Sequence, residues 1–470
     1  MVINELKSIA NYISRSKAIH FVGIGGVGMS AIARILLEQN YKISGSDLKE
    51  SVNTIRLKDF GAKLYYEHSP VNLREANIVV LSSAIKEDNP EYVEAINNRM
   101  PIFKRGQMLS YLMDQFSRKI AVSGTHGKTT TSSMITIMLD YAKKNPTYTI
   151  GADMNDFQGN AMLGKGPYFV AEADESDGSF LYLNPNISVI TNVEPEHMEY
   201  FKSEERLQKC FREFIEKSTA TGYSVVNYDD LNIQKIIKGL PQENLIFYGL
   251  NKKAKIVAEN IIQSENGVSY TLLIDQKPVQ QINLKVYGLH NVYNSLATIA
   301  VGLKEGISLT IIAKALAHFS GTKRRFQFIG EINDITIFDD YAHHPTEIKA
   351  TLEAIKKSFN RRVVCIFQPH RYSRTHDLLD EFLAAFDNAD LLILTEIYSA
   401  HELNTYNISA KLIKDRMQKE NVYFIPQKGK IIDTLVKYLK PKDIVITMGA
   451  GDIYTVAKEL YKFLKQKKEV

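Results

Sequence analysis

Buried strand patterns alternate with helix patterns along nearly all of the 470 residues, and this alternation restricts the fold to parallel, doubly wound sheets. Near the N-terminus, "AIHFVGIG" is typical of a strand and "GMSAIARILLEQN" of a helix. The pattern begins again near Gln107 and near Gly321. We therefore expect an α/β protein with three consecutive domains, which the length also favours. Their predicted boundaries are 1–106, 107–320 and 321–470.

Composition and charge exclude several classes of protein. Apolar residues make up 44% and charged residues 24% of the chain, as in ordinary globular domains. The net charge of +5 is small for this length, so we expect anionic small molecules as partners, and neither nucleic acid nor membrane insertion. The cysteines Cys210 and Cys365 have no metal-like spacing and no signal peptide is visible, which predicts a reduced, cytoplasmic protein. We expect a monomer or a weak homodimer.

A glycine-rich stretch, Gly124-Thr-His-Gly-Lys-Thr-Thr130, lies between a strand pattern and a helix pattern; we call it the phosphate loop. Backbone N–H groups of such a loop close around phosphate oxygens, and the helix N-terminus adds its dipole. Lys128 would reach the β- and γ-phosphates of ATP, and the hydroxyl of Thr129 would bind Mg²⁺. The usual first glycine is replaced by Val122, and a glycine turn with a capping threonine is the alternative. The predicted ATP-binding residues here are Gly124, Thr125, His126, Gly127, Lys128, Thr129 and Thr130.

A second stretch, Gly23 to Gly28, fits the pattern G-x-G-x-x-G after a strand and before a helix; we call it the glycine loop. Asp47 ends the next strand at about the distance expected of an acid that binds a ribose, so the loop alone would indicate NAD. The same turn binds any anion at a helix N-terminus, and it can also serve strand–helix packing alone. Ser82 to Ile85 end a later strand and would line the same crevice.

Two acidic runs follow buried strands of the second domain, from Glu172 to Glu175 and from Glu194 to His197. Mg²⁺ takes a few hard oxygen ligands from a protein, and water and phosphates complete its octahedron. One acidic run alone would be interpreted as a solvated loop. Two runs in the domain that carries the phosphate loop predict a magnesium site.

The third domain contains clusters of arginine and histidine in "GTKRRFQ", "FDDYAHHPTE" and "FQPHRYSRT". Guanidinium groups are forked donors that suit phosphates and carboxylates. No acid or cysteine at metal-ligand spacing accompanies the histidines, so we interpret them as polar contacts or proton carriers. The residues are Arg324, Arg325, Arg371, Arg374, His343, His344, His370 and His376.

The order of motifs over nearly the whole chain resembles that of the Mur ligase family of peptidoglycan synthesis. The family's phosphate loop has the form Gly-Thr-x-Gly-Lys-Thr, which accounts for Val122. The motifs that carry the resemblance are "GIGGVGMSAIA", "SGTHGKTTT", "EADESDGSF", "TNVEPEHMEYF", "GLHNVYNSLA", "GTKRRFQ", "DDYAHHPTE", "FQPHRYSRT" and "MGAGDI".

The resemblance implies a division of labour among the domains. The first, Rossmann-like, would bind the UDP part of UDP-N-acetylmuramate rather than NAD. The central domain would resemble a P-loop ATPase and bind ATP with Mg²⁺. The third, again Rossmann-like, would bind the amino acid and close on ATP. The implied contacts of the UDP-sugar are Gly25, Gly26, Gly28, Asp47 and Ser83.

The resemblance also implies roles for single residues. The implied metal ligands are Thr129, Glu172 and His197. The implied catalytic residues are Lys128, Glu172, His197, His344 and Arg374. The implied contacts of ATP outside the phosphate loop are Asn291, Asp340 and Arg324 or Arg325.

The implied reaction is the ATP-dependent ligation of L-alanine to the lactyl carboxylate of UDP-N-acetylmuramate, with His197 or His344 accepting the proton of the amine. Two departures from the family pattern are Glu196, where Asp is usual, and His401, where glycine is common. Three alternatives stay open. They are a branch that attaches a ready-made tripeptide, an NAD-dependent dehydrogenase, and a P-loop regulator without catalysis.

Overall fold

The structure is a computed structural model that describes residues 6–157 and 159–468. The described chain forms two compact units. Unit 1 contains the residues up to Glu259, together with Thr271–Gln280 and Tyr293–Leu316. Unit 2 contains Asn260–Tyr270, Gln281–Val292 and the residues from Ala317 onward.

The first sheet, in unit 1, has five parallel strands. The strands are β1 (Ala18–Val22), β2 (Lys42–Ser46), β3 (Lys63–Tyr65), β4 (Ile78–Leu81) and β5 (Ile102–Lys104). The helices around them are α1 (Leu6–Arg15), α2 (Val27–Glu38), α3 (Val52–Asp59), α4 (Pro90–Asn97) and α5 (Arg105–Met113). In the order β3-β2-β1-β4-β5, successive strands are added on one side of β1 and then on the other. This switch point places a ligand crevice at the carboxyl ends of β1 and β4.

Local sequence explains these elements well. In β1 the apolar residues Ile19, Phe21 and Val22 are all buried, as in strands covered by helices on both faces. The predicted Asn-Pro start of α4 is confirmed, because the side chain of Asn89 accepts backbone N–H groups at 3.0 and 3.3 Å and Pro90 opens the helix.

The central sheet carries the phosphate loop. Its strands in unit 1 are β6 (Arg118–Ser123), β7 (Thr147–Thr149), β8 (Ala161–Met162), β9 (Tyr168–Glu172), β10 (Ile187–Ile190), β11 (Tyr223–Asn227) and β12 (Leu245–Gly249). Its helices in unit 1 are α6 (Lys128–Tyr141), α7 (Met198–Phe201), α8 (Glu204–Thr219) and α9 (Leu231–Ile236). The order β12-β11-β10-β6-β9-β7-β8 places the carboxyl ends of β10, β6 and β9 side by side. The phosphate loop and both acidic runs follow these three strands, as predicted.

The chain then passes through elements whose residues are divided between the two units. They are β13 (Ile256–Ser264), β14 (Gly267–Ile274), β15 (Lys277–Leu284), α10 (Leu289–Lys304) and α11 (Leu309–His318). The three strands are absent from the sequence prediction. The helix α10 is confirmed, and Gly306 follows it with a φ of +72°, as a glycine that ends a helix commonly does.

Unit 2 contains a six-stranded sheet. Its strands are β16 (Gln327–Ile332), β17 (Ile335–Asp340), β18 (Val363–Phe367), β19 (Leu391–Leu394), β20 (Val422–Phe424) and β21 (Ile444–Met448). Its helices are α12 (Pro345–Phe359), α13 (Tyr372–Asp377), α14 (Leu379–Ala385), α15 (Lys411–Arg416), α16 (Ile431–Leu435) and α17 (Tyr454–Lys468). The order is β16-β17-β21-β18-β19-β20, and only the β16–β17 pair is antiparallel.

Three α/β sheets therefore follow one another along the chain, and the predicted fold class is confirmed. The domain boundaries at 106 and 320 stay predictions. Within residues 6–157 and 159–468, no helix combines the length and hydrophobicity needed to cross a lipid bilayer.

Candidate active site

The glycine loop has the conformation that a phosphate site requires. Gly23 has a φ of +80°, in the left-handed region that favours glycine. The N–H of Gly25 donates to Asp47 Oδ2 at 2.8 Å, and a Cβ on Gly25 would lie 2.8 Å from the same oxygen. Gly26 immediately precedes α2, whose first N–H groups have no acceptor within the helix. The loop thus presents a helix N-terminus to an anion.

The other two residues implied to bind the UDP-sugar differ in their surroundings. The second oxygen of Asp47 accepts the N–H of Leu48 at 2.8 Å, so this carboxylate shapes the loop. Ser83 is exposed. Its neighbour Ser82 packs on the loop, with its Cβ 3.0 Å from the position that a Cβ on Gly23 would take. Contacts of Asp47 and Ser83 with a nucleotide stay predictions.

A buried carboxylate that sequence analysis did not identify lies at the carboxyl end of β2. Glu91 accepts hydrogen bonds from Ser46 and, at 2.7 Å, from Asn72. His68 Nδ1 and His20 Nε2 lie 3.1 and 3.5 Å from its oxygens. Burial opposes ionisation, but the hydrogen bonds from His20, Ser46 and Asn72 outweigh it and lower the pKa of Glu91 to about 2. We call these five residues the Glu91 cluster.

The phosphate loop needs glycine at both of its glycine positions. Gly124 has a φ of +131°, and a Cβ there would overlap the hydroxyl of Thr191. Gly127 has a φ of +84° and lies just before α6. The N–H of Thr125 donates to Asn192 O at 3.0 Å, and the N–H of His126 donates to Asn192 Oδ1 at 2.8 Å.

Lys128 is held by the loop itself and by an acid. Its Nζ donates to Gly124 O at 2.6 Å, Thr125 O at 3.0 Å and Glu175 Oε1 at 2.9 Å. Burial lowers its pKa, but the carboxylates of Glu175 and Asp174 outweigh burial and raise it, so the ammonium is charged at neutral pH. Burial raises the pKa of Glu175 to about 7, against the effect of Lys128.

Two of the three implied metal ligands are in contact. Thr129 Oγ1 lies 3.0 and 2.9 Å from the two carboxylate oxygens of Glu172, which also accepts the N–H of Gly151 at 2.7 Å. His197 Nε2 lies 4.0 Å from a carboxylate oxygen of Glu196. In the part of the chain that the structure describes, no contact joins His197 to Thr129 or Glu172. A hydroxyl and a carboxylate side by side are the hard oxygen donors that Mg²⁺ prefers.

The rest of the first acidic run faces cations and not Thr129. We call Asp174–Ser179 the acidic turn. Glu175 pairs with the lysine of the phosphate loop, and Arg105 Nη2 lies 3.7 Å from both Asp174 and Asp177. Sequence analysis missed Arg105, because nothing in the residues around it indicates that contact.

Two asparagines of α10 have their contacts in different units. Asn294, which sequence analysis did not select, lies beside the phosphate loop. Its Oδ1 accepts the hydroxyl of Thr131 at 3.1 Å and would lie 2.6 Å from a Cβ on Gly127. The predicted Asn291 belongs to unit 2 and donates to Tyr287 O at 2.7 Å. The i, i+3 spacing of the two asparagines on one helix face is the signal that could have found Asn294.

The predicted acid of unit 2 ends a central strand. Asp340 is the last residue of β17 and is buried. Its oxygens accept the N–H of Ala342 at 2.8 Å and the hydroxyl of Thr351 at 3.0 Å. Burial raises the pKa of Asp340 to about 6.

The two arginines between which the sequence could not choose differ in their other contacts. The guanidinium of Arg324 lies between the rings of Tyr341 and Tyr454, 4.9 and 4.7 Å from their centroids. Arg325 Nη1 lies 3.4 Å from Glu347, and 31% of its side chain is exposed. Arg325 also lies over the ring of Tyr341, 5.1 Å from its centroid, so a phosphate contact of either arginine stays a prediction.

The histidines of unit 2 lie at helix and strand ends. His344 caps α12, with Nδ1 accepting the N–H of Thr346 at 3.3 Å. Arg374 Nη1 donates to His370 O at 3.3 Å, and His370 stacks on Tyr398. Burial lowers the pKa of His370 to about 3, so this ring is neutral.

The backbone conformation explains why glycine is common at position 401. Its φ is +69°, and that of Ala400 is +48°. A residue with a side chain is strained there, whereas glycine is not. Glu196, the other departure, donates its N–H to Glu194 O at 2.8 Å.

Three family profiles match successive parts of the chain. "Mur ligase family, catalytic domain" matches residues 18–117, "Mur ligase middle domain" matches 122–302, and "Mur ligase, glutamate ligase domain" matches 324–451.

Full-length relatives and solved structures agree with these profiles. The UDP-N-acetylmuramate–L-alanine ligase of Desulforamulus reducens is 44% identical, over 96% of this chain and 99% of the relative. That of Desulfotalea psychrophila is 42% identical, over 95% and 98%. The crystal structure of the corresponding ligase from Thermotoga maritima has a TM-score of 0.83 at 30% identity, over 96% and 99%. A murein peptide ligase from Psychrobacter arcticus shares the fold, with a TM-score of 0.70 at 24% identity, over 95% and 98%.

Successive α/β sheets with two phosphate-type loops, matched over their full length by ligases, define the class of the protein as a ligase. The chain belongs to the Mur ligase family. The dehydrogenase and the non-catalytic regulator are therefore set aside.

Proposed function

We propose that this Mur ligase joins L-alanine to the lactyl carboxylate of UDP-N-acetylmuramate, with ATP as co-substrate and an acyl phosphate as intermediate. The observation that carries the proposal is the identity of 42–44% over nearly the full length to relatives named for this reaction. The two loops of unit 1 agree with it, since one would hold the acid and the other its activator. The reaction would occur in the cytoplasm, where the free cysteines Cys210 and Cys365 stay reduced.

The chemistry explains why a nucleotide is needed. A carboxylate and an amine do not condense in water, because hydroxide is a poor leaving group. Transfer of the γ-phosphoryl group to a carboxylate oxygen gives an acyl phosphate. The amine of L-alanine then attacks the carbonyl carbon, orthophosphate leaves, and the amine loses a proton to a base, for which His197 and His344 are the candidates.

Two anions must meet in the first step, so cations are the main requirement. Lys128, charged at neutral pH, would exchange its carbonyl partners Gly124 and Thr125 for the β- and γ-phosphate oxygens. The N–H groups from Gly127 to Thr130, at the start of α6, would face the same phosphates, whereas those of Thr125 and His126 donate to Asn192.

Thr129 and Glu172 would hold one Mg²⁺, and His197 would lie near a second, as the family resemblance implies. The fit rests on a hydroxyl and a carboxylate within 3.0 Å of each other. When bound, Mg²⁺ neutralises charge on the phosphoryl oxygens. The chain's own part is to keep the two oxygen donors together, and the N–H of Gly151 orients Glu172 for this.

The roles of unit 2 are proposed from its residues alone. Arg324 or Arg325 would contact a phosphate group of ATP, and Asp340 and Asn291 would contact the rest of the nucleotide. Arg374, a forked cation, would contact the carboxylate of the amino acid.

A coupled ADP-release assay with separate amine donors tests the proposal. We expect ADP with UDP-N-acetylmuramate and L-alanine together, neither alone being sufficient, and a product with the mass of the alanyl adduct. Glycine and L-serine should react more slowly, because sensing one methyl group gives only ~1–3 kcal/mol of discrimination. ADP release with the tripeptide L-Ala-γ-D-Glu-meso-diaminopimelate and not with L-alanine would assign the chain to the recycling branch instead.

A further inference from the structure

We propose that Arg105 is a substrate-positioning residue that binds the pyrophosphate of the UDP-sugar, and that the acidic turn holds it in place. The proposal rests on the proposed function, because it assumes a UDP-sugar on the glycine loop.

The first observation is where the side chain of Arg105 lies. Arg105 is the first residue of α5 and directly follows β5. It therefore lies at the carboxyl ends of the strands of the first sheet, as the glycine loop does. A Cβ on Gly28 would lie 3.2 Å from Arg105 Cδ and 3.3 Å from its Nη1. Gly28 is in the first turn of α2, where an anion meets the helix N-terminus. A guanidinium nitrogen therefore stands beside the expected place of the pyrophosphate.

The second observation is how Arg105 is oriented. Nη2 donates to Ser179 Oγ at 2.9 Å and lies 3.7 Å from the carboxylates of Asp174 and Asp177. Only 16% of the side chain is exposed. A guanidinium is a rigid planar fork, so fixing one nitrogen fixes the directions of the others. Among the contacts of residues 6–157 and 159–468, none occupies Nη1 or Nε, which leaves these donors to a ligand.

The third observation is that the acidic turn is a fixed support. The N–H of Ser176 donates to Asp174 Oδ1 at 3.1 Å, and the N–H of Ser179 donates to Asp177 Oδ1 at 3.0 Å. A Cβ on Gly106 would lie 2.7 Å from Ser179 Cβ, so the start of α5 packs closely on the turn. These contacts brace the turn and hold Arg105 beside Gly28.

The same turn reaches the phosphate loop. Glu175 pairs with Lys128 at 2.9 Å, while Asp174 and Asp177 face Arg105. One short segment thus holds Lys128 of the phosphate loop and Arg105 beside the glycine loop, and sets the spacing between the two cations. Transfer between two substrates requires their reacting atoms to approach within about 3–3.5 Å, so a common support for both sets of phosphates has a catalytic purpose.

A purely structural role, tying the first sheet to the central one, is the competing explanation. Arg56 already makes such a tie, with both Nη atoms on the carboxylate of Asp153 at 2.8 and 2.9 Å. Arg105 differs from Arg56, because its carboxylate distances of 3.7 Å exceed hydrogen-bond length and part of its fork faces Gly28. The geometry of Arg105 is that of a cation kept ready for another anion.

Binding of UDP and of uridine to the full chain separates the two explanations. UDP carries the pyrophosphate and uridine does not. For Arg105→Ala we expect roughly 10- to 100-fold weaker UDP binding, the size that follows from losing a charged hydrogen bond, with uridine binding unchanged. Arg56→Ala is the matched control and should change neither. Titration calorimetry measures all three proteins.

Two further variants strengthen the test. Arg105→Lys keeps the charge but loses the fork, so it should recover only part of the UDP affinity. Asp177→Asn should weaken UDP binding less than Arg105→Ala does, and adding it to Arg105→Ala should cause no further loss. In steady-state assays, Arg105→Ala should raise KM for the UDP-sugar more than KM for ATP.

The contrary outcomes are equally distinct. Equal weakening of UDP and uridine in Arg105→Ala and Arg105→Lys would make Arg105 structural, and unchanged UDP binding would remove it from the site. In both cases the alanine-dependent reaction of the wild-type protein would still stand. A wild-type protein that binds neither UDP nor the UDP-sugar would contradict the proposed function, and this inference with it.

Discussion

The side chain of Lys128 shows what a motif determines and what the fold adds. The motif places a lysine at the start of α6, where phosphate loops carry one. The fold adds Glu175, whose carboxylate binds the ammonium at 2.9 Å. Because Glu175 belongs to the acidic turn, the lysine is oriented by a residue from another strand end.

Replacing Lys128 by Ala should lower turnover strongly and leave binding of the UDP-sugar intact. The lysine would stabilise charge in the transition state, and losing one such donor costs roughly 10²–10³ in kcat. The glycine loop stands on a different sheet and does not need it. ADP release and calorimetry measure the two effects separately. Equal loss of both would show that the two loops do not divide the substrates as proposed.

His401 offers a test of backbone strain. Its φ of +69° costs a residue with a side chain about 1–2 kcal/mol, part of which glycine returns through its freer unfolded chain. We expect His401→Gly to raise the free energy of unfolding by about 0.5–1 kcal/mol, measured by urea denaturation. His376→Gly, in the helix α13, should lower it by about 1 kcal/mol. A His401→Gly variant that is less stable than the wild-type protein would contradict the claim that the backbone is strained at His401.

Among the elements, the phosphate loop has a conformation that requires glycine. Gly124→Ala would force a Cβ onto the hydroxyl of Thr191 in a left-handed conformation. We expect it to destabilise the protein by about 1–3 kcal/mol and to abolish ATP binding. Gly429→Ala is the control, since a Cβ there meets nothing within 4 Å. Thermal melting and binding of an ATP analogue report both effects, and a fully active Gly124→Ala would contradict the assignment of the loop.

The Glu91 cluster joins residues from several elements, and the ionisation of Glu91 makes the free energy of unfolding depend on pH. The pKa of Glu91 is about 2 in the folded protein and 4.5 ordinarily, so folding favours its ionised form. Its contribution of up to about 3 kcal/mol is present above pH 4.5 and is lost as the pH falls towards 2. Urea denaturation between pH 7 and 3 measures this. Glu91→Gln should flatten the pH dependence of the free energy of unfolding, whereas Glu75→Gln, on the surface, should not. Identical pH profiles for Glu91→Gln and the wild-type protein would contradict the assignment.

Elements were predictable where hydrophobic pattern and turn chemistry decide them. The buried strands β1, β6 and β10 and the loops at their ends follow from such local signals. The strands β13 to β15 were missed. The partners of single side chains were also missed, because Arg105 and Asn294 acquire their places only when strand ends distant in sequence meet. Of the residues implied to bind metal, the structure brings Thr129 and Glu172 together through neighbouring strands, and the role of His197 stays a prediction.

Across the whole molecule, unit 1 carries two loops of similar construction on two different sheets. Each loop follows a buried strand, opens a helix and needs glycine for its shape. One helix N-terminus would hold a pyrophosphate and the other a triphosphate, so the arrangement suits a reaction that brings two anionic substrates together. The acidic turn contacts Lys128 of the phosphate loop and Arg105 beside the glycine loop, so it would set the spacing between the two sites.

Isotope transfer tests the reaction most directly. With ¹⁸O in both oxygens of the lactyl carboxylate, one labelled oxygen should appear in the released orthophosphate and the other should stay in the new amide. This follows because the acyl phosphate loses its bridging oxygen with the phosphoryl group when the amine attacks the carbonyl carbon. Mass spectrometry of the orthophosphate measures the label. Formation of the amide with unlabelled orthophosphate would contradict the acyl phosphate, and with it the transfer from ATP to a sugar-borne acid.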